Sequence, residues 1–258
     1  MRNRGSDMEM VELGKTGLMV SRLCFGTSHL DHIGQNFAPE RGAELLVYAL
    51  ENGVNFWDTA QSYGSHAHVR LALERVGREK VIVNTKIGSK TLEEGRAAID
   101  KALDELGTDY VDSMMLHGVQ SVEEFEKRRG CLEALLEAKA AGKVRHVSAS
   151  THRASGAVME AMAAAEDIEV VLSVLNKTGV GLEGDLETHK RLLRAIHEAG
   201  KGVMIMKLMD EGKVPDEDAE EWIGWGFEFP HAHSVNLGLT SEEEIDTAVR
   251  LGSPLPVG

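Results

Sequence analysis

Asp58, Tyr63, Lys86 and His117 are the side chains of this sequence best suited to joint proton chemistry. An ammonium group close to a phenol favours phenolate, so Lys86 is expected to lower the Tyr63 pKa toward neutrality while Asp58 holds the lysine charged and in place. Such a tyrosine can pass a proton to a reacting carbonyl oxygen. A nearby imidazole can orient that carbonyl and stabilise the negative charge developing on its oxygen. No serine or cysteine nucleophile with its own base is evident, so hydride has to come from outside, from a nicotinamide cofactor.

Residues this far apart in sequence meet only if the fold returns to one place repeatedly. Eight short apolar runs read as strands: 23–25, 54–57, 81–85, 111–116, 144–148, 169–174, 202–206 and 234–237. Between them lie stretches with apolar residues every three or four positions, such as Ile99, Leu103 and Leu106, the spacing of amphipathic helices. Gly53, Gly107, Gly142 and Gly200 follow these stretches, where a glycine past a helix end takes a left-handed cap with least strain. Ahead of them, Val11 to Leu13 and Leu18 to Val20 flank a Gly-rich turn and predict a hairpin.

Eight strand-then-helix units with no intervening linker predict one domain over residues 1–258, a closed (β/α)8 TIM barrel. An open doubly wound sheet is the alternative, but its usual Gly-x-Gly-x-x-Gly turn is missing after the first strand. In such a barrel chemistry collects at the carboxyl ends of the strands. Read there in order, the residues are Gly26-Thr27, Asp58 with Tyr63, Lys86, His117, Ser150-Thr151-His152, Asn176, Lys207 and Gly238 with Thr240-Ser241.

The 258 residues carry 42 acidic side chains against 28 Lys and Arg, a net charge of −14, which repels nucleic acid and anionic lipid. Cys24 and Cys131 give no disulfide framework and no metal spacing, which fits a reducing cytoplasm. Met1 to Met10 has no apolar core of a signal peptide, and no uncharged apolar run approaches the roughly 20 residues that span a bilayer.

At its candidate site residues the sequence resembles the aldo-keto reductase family, from about Glu12 to about Arg250. The resemblance is carried by Leu13-Gly14-Lys15-Thr16-Gly17-Leu18, Phe25-Gly26-Thr27, Asn55-Phe56-Trp57-Asp58-Thr59-Ala60 with Tyr63-Gly64, and Thr85-Lys86. It continues through Asp109-Tyr110-Val111-Asp112 leading to Leu116-His117, Gly142-Lys143-Val144-Arg145, and Gly202-Val203-Met204 with Lys207. It implies a barrel whose bottom is closed by the N-terminal hairpin, and reduction of an aldehyde or ketone with NADPH or NADH. In that reading Asp58, Tyr63, Lys86 and His117 form a catalytic tetrad with Tyr63 as general acid. Ser150 and Thr151 fall where the family binds the nicotinamide carboxamide, Asn176 and Lys207 where the ring and diphosphate lie, and Gly238, Thr240 and Ser241 at the adenosine-phosphate loop. Gly26, Thr27 and Asp58 complete the expected cofactor contacts.

Two departures qualify the resemblance. Where NADPH-dependent members carry basic residues for the 2′-phosphate, this chain reads Glu242-Glu243-Glu244-Ile245-Asp246. Either the cofactor is NADH, or a distant base such as Arg250 or Lys213 folds back, or cofactor binding is weak or absent. The acids also have a structural reading as a capping box with Thr240 or Ser241. The second departure is a shortened C-terminal segment ending in Ser253-Pro254-Leu255-Pro256. It predicts a shallow, open pocket for the small-molecule substrate, or one completed by a second subunit of a homo-oligomer.

Other readings stay open on the residues themselves. His66-Ala67-His68 with Lys86, His117 and His152 could be the zinc ligands of a hydrolase barrel, although His-x-His there should lie on a strand and this pair sits where a helix begins. His231-Ala232-His233 has the same form and is expected in a loop. A barrel that binds cofactor in a regulatory role without turnover is the third reading. The run Asp216, Glu217, Asp218, Glu220 and Glu221 reads as a solvated helix face.

Overall fold

A computed structural model describes residues 8–153 and 155–253, the side chain of Glu211 excepted. Residues 1–7 and 254–258, and with them most of the expected leader and tail readings, lie outside that range.

The hairpin pairs β1 (Met10–Glu12) with β2 (Met19–Ser21), and its turn places Gly14 and Gly17 at φ of 59° and 74°. Eight parallel strands then close a barrel: β3 (Leu23–Gly26), β4 (Phe56–Asp58), β5 (Ile82–Ile87), β6 (Val111–Leu116), β7 (Val144–Thr151), β8 (Val170–Val174), β9 (Gly202–Met206) and β10 (Ser234–Gly238). They neighbour in sequence order, with β10 hydrogen-bonded to both β9 and β3. This is the expected (β/α)8 TIM barrel with its hairpin. The surrounding helices are α1 (Pro39–Glu51), α2 (His66–Val76), α3 (Leu92–Leu106), α4 (Val122–Lys127), α5 (Arg129–Ala140), α6 (Gly156–Ala164), α7 (Leu186–Glu198), α8 (Ala219–Glu228) and α9 (Glu242–Gly252).

Alternation of side chains along the strands divides the core in two. Inward residues such as Cys24, Phe56, Met115, Leu172 and Met204 fill the barrel with Leu13 and Val20 of the hairpin, whereas Phe25, Trp57, Val83 and Ile205 face the helices. Lys15 N donates to Gly200 O at 2.9 Å, so the hairpin closes the amino-terminal end. Burying Leu13 there contributes about 1.5–3 kcal/mol.

Strand limits differ usefully from the predicted ones. β5 runs through Lys86 to Ile87 and β7 runs through Ser150 and Thr151, so these polar residues sit within strands, not beyond them. Ladder hydrogen bonds carry a strand past the point where its apolar run ends. Gly53, Gly107, Gly142 and Gly200 all have positive φ, as the cap reading predicts.

Candidate active site

The site starts from the pleat of β4 and β5. Asp58 pairs in register with Asn84, and two residues on, Lys86 faces the same way into the barrel mouth. Lys86 Nζ donates to both oxygens of Asp58 at 2.7 Å and to Thr59 O at 2.9 Å, and both side chains are almost wholly buried. Tyr63 comes from a 3-10 turn, Gln61–Tyr63, ended by Gly64 at φ 78°. Its hydroxyl lies 3.3 Å from Lys86 Nζ.

His117 follows β6 directly, and its ring meets the Tyr63 ring edge-on at 5.7 Å. His152 lies on the far side of His117, again with centroids 5.7 Å apart. Tyr63 and His117 are half-buried and reach the opening, whereas the ion pair beneath them is dry. The four expected tetrad residues are therefore gathered at one rim.

Their electrostatics correct one expectation. Burial pushes the Tyr63 phenol above its ordinary value, and the opposing pull of Lys86 does not overcome it. Burial is the largest influence, and Asp58, lying against Lys86, offsets part of the lysine's pull on the phenol. Burial works against the Lys86 ammonium too, but Asp58 outweighs it and the pKa rises. Burial, with Lys86 and His152 nearby, takes His117 down to about 3, so its imidazole is neutral at physiological pH.

The expected cofactor residues divide into two groups. Ser150 lies inside the barrel mouth, where its Oγ accepts from Gly118 N at 2.9 Å. Asn176 closes its own loop, donating to Val180 O at 2.9 Å and accepting from Val180 N at 3.0 Å. Lys207, at φ 61°, begins the turn after β9. Thr27 and Thr151 are turned away from the mouth: Thr27 Oγ1 bonds Ser65 Oγ at 2.7 Å, and Thr151 Oγ1 donates to Arg153 O at 2.9 Å. Their orientation gives no support to a cofactor contact. Gly26 and Gly238 lie side by side in register, Gly238 under the His29 ring.

The acidic run has structural employment. Ser241 caps α9 by accepting from Glu244 N at 3.2 Å, and Glu244 accepts in return from Thr240 N at 2.6 Å. Glu242 pairs with Arg41 of α1 at 3.0 Å, and Asp246 accepts from Tyr48 at 2.7 Å. Arg250 does not fold back to this turn; it pairs with Glu220 of α8 at 2.7 Å. Lys213 sits exposed in the turn after β9. Of the acids read as a solvated face, Glu220 and Glu221 are exposed with their ion pairs, and Asp216–Asp218 forms a 3-10 turn.

The zinc reading fails on position. His66 and His68 are buried on α2, His66 between Glu105 at 2.7 Å and Thr85 at 3.0 Å, and His68 bonds Phe37 O. Neither joins Lys86, His117 and His152, and among the described residues no group of three or more His, Cys, Asp or Glu is arranged to hold a metal. His231 and His233 lie in the loop before β10, with His233 stacked on His197 at 4.6 Å.

Three residues escaped the sequence reading. Asn84 and Asn236 both donate to Asp58, at 2.5 and 2.6 Å. Arg128, fully buried, donates to the carbonyls of Ile87, Ser89 and His117 at 2.8–3.0 Å and ties the ends of β5 and β6 together. A polar residue two positions before Lys86 in an apolar strand was a signal for Asn84, because alternation puts both on one face.

A closed parallel barrel with a phenol, a buried ion pair and a neutral imidazole at the carboxyl ends of its strands has the architecture of a TIM-barrel enzyme. Residues 22–223 match the model of the aldo/keto reductase family, and the chain belongs to that family. A Glycine max protein named as an aldo-keto reductase is 30% identical over 160 residues, covering 56% of this chain and 45% of the relative. L-galactose dehydrogenase of Arabidopsis thaliana is 30% identical over 151 residues, 54% of this chain and 47% of its own length. The matched stretches thus span about half the length of these curated relatives. Among solved structures, an aldo-keto reductase from Bacillus halodurans in its holo form superposes with a TM-score of 0.79 at 20% identity, covering 97% of this chain and 93% of the other. That likeness shows the fold.

Proposed function

We propose that this protein reduces an aldehyde or ketone to an alcohol with a nicotinamide dinucleotide, NADPH or NADH, and that Tyr63 is the general acid. The observation that carries the reading is Lys86 Nζ lying between the Asp58 carboxylate and the Tyr63 hydroxyl at an open rim.

The donor set fits such a cofactor. Hydroxyl and amide groups of Ser150, Asn176, Thr240 and Ser241 lie at the ends of β7, β8 and β10, beside Gly26 and Gly238, with Lys207 after β9. Asp210 Oδ1, in the same turn as Lys207, is a buried acceptor without a donor, suited to a ligand hydroxyl. When bound, the nicotinamide supplies hydride to the carbonyl carbon.

The chain's own residues do the rest. Neutral His117 offers an N–H to the carbonyl oxygen and orients it. Tyr63, kept protonated by its burial, gives that oxygen its proton as negative charge develops there. Lys86 stabilises the phenolate left behind, and Asp58 keeps Lys86 charged and aimed. The phenol is restored by a proton from solvent. The buried, unpaired Cys24 and Cys131 support a reducing, cytoplasmic setting. Among the described residues no helix is long and apolar enough to cross a membrane.

The first turn of α9 favours NADH. It carries Glu242, Glu243 and Glu244, and the cation facing it, Arg41, is already paired. With Glu242 neutralised by Arg41, Glu243 and Glu244 remain, and at contact distance in water each repels a phosphate charge by about 1 kcal/mol, which predicts NADH binding at least about tenfold tighter than NADPH. Fluorescence titration with both cofactors, on wild type and Tyr63→Phe, tests the reading. Retained cofactor affinity with turnover lost is the expected result, and unchanged turnover refutes the assigned acid.

A further inference from the structure

We infer that Asn84 and Asn236 are positioning residues that clamp the Asp58 carboxylate from two strands and so fix the distance between Lys86 and Tyr63; the inference rests on Tyr63 being the acid. Each oxygen of Asp58 accepts from Lys86 Nζ and from one asparagine: Oδ1 from Asn84 Nδ2 at 2.5 Å, Oδ2 from Asn236 Nδ2 at 2.6 Å. The carboxylate is almost fully buried and cannot turn without giving up one of these bonds. Lys86 holds both of its oxygens, so the orientation of Asp58 sets where Nζ stands beneath the phenol.

Two features show that the clamp is built at some expense. Asn84 Oδ1 is buried without a partner, a desolvation penalty accepted while its amide nitrogen serves Asp58. Asn236 reaches from β10 to β4 across the intervening β3, which carries Gly26 level with Asp58. A Cβ on Gly26 would overlap Asn236 Oδ1, so the missing side chain leaves the passage open. The barrel thereby links β10, which leads into the Thr240-Ser241 turn, to the proton-donating side of the site.

The test measures NADH- and NADPH-dependent reduction of p-nitrobenzaldehyde, with cofactor Kd from fluorescence. Asn236→Leu, of similar size but unable to donate, is expected to lower kcat about 10²-fold, the scale of a small misplacement of reacting groups, with cofactor Kd unchanged. Gly26→Ala should lose a comparable factor, and the double variant no more than either alone, because both act through one contact. Asn236→Asp keeps the shape and sets a second carboxylate against Asp58. It should move the acid limb of the kcat profile up by about one pH unit. It should also raise the pH at which Tyr63 ionises, read without cofactor or substrate from the ultraviolet titration difference against Tyr63→Phe.

Unaltered kcat, pH profile and tyrosine titration in both Asn236 variants would overturn the inference, as would a change confined to cofactor Kd. If Tyr63→Phe retains turnover, the assignment of the acid fails, and the titration shift still decides whether Asn236 acts on the phenol.

Discussion

Thr85 and Lys86 are adjacent in β5, yet they belong to two assemblies that look alike on paper. Lys86 turns into the barrel and joins Asp58 and Tyr63, while Thr85 turns out and joins His66 and Glu105. The second set contains a hydroxyl, an imidazole and a carboxylate in hydrogen-bonded sequence, the ingredients of a nucleophilic triad. It differs in access. The Thr85 hydroxyl is sealed between sheet and helices, and burial pushes His66 below its ordinary pKa despite Glu105 beside it. Hydrogen-bonded acid, imidazole and hydroxyl make a structural brace when enclosed and a reactive site when the strand ends in an open rim.

Substitution on the two sides should separate these roles. Tyr63→Phe is expected to lower kcat about 10³-fold, the usual contribution of a placed general acid, with the thermal midpoint unchanged. Lys86→Met leaves Asp58 buried and unpaired, and should destabilise the fold by about 3–5 kcal/mol in calorimetry as well as abolish turnover. Adding Asp58→Asn should restore much of the stability and none of the turnover. On the enclosed side, His66→Gln should cost about 1–3 kcal/mol through unsatisfied partners while leaving kcat alone. Loss of kcat without loss of stability in that variant would break the comparison.

At neutral pH the remaining effects are small and emerge only on titration. Folded His117 takes a proton only at about 3, whereas unfolded His117 does so near 6.5, so the unfolded state binds more protons between these values. Its contribution to stability is full above 6.5 and is lost as pH falls toward 3, and His117→Asn should flatten denaturation midpoints across that window. On the basic side, burial holds the Tyr63 phenol above its ordinary pKa, so any fall in kcat should come at higher pH than the ionisation of an exposed tyrosine.

Much of this was legible in the residues. The eight strands, the hairpin and the glycine caps were read within a few positions, because apolar alternation and left-handed glycines are local properties. Asp58, Lys86 and His117 stood out as candidates because each lay just at the end of an apolar run, and Tyr63 because it followed one by a few residues; the structure gathers all four at one rim. What closeness to a strand end does not say is which face of the pleat a side chain takes, and the hydroxyls of Thr27 and Thr151 turn to Ser65 and to Arg153 O. Asn236 was missed because its partner lies two strands away, across a glycine.

The direction of the Tyr63 pKa was beyond a reading of types and spacing. It depends first on how dry the phenol is and then on the opposed charges of Lys86 and Asp58, all set by packing. By itself the sequence determined the order of elements and the stock of groups available at the rim, since periodicity, caps and residue chemistry act over a few neighbours. Only the closed barrel decided which of those groups share a dry hollow and which are sealed behind a helix, because register and burial come from contacts between segments far apart in the chain.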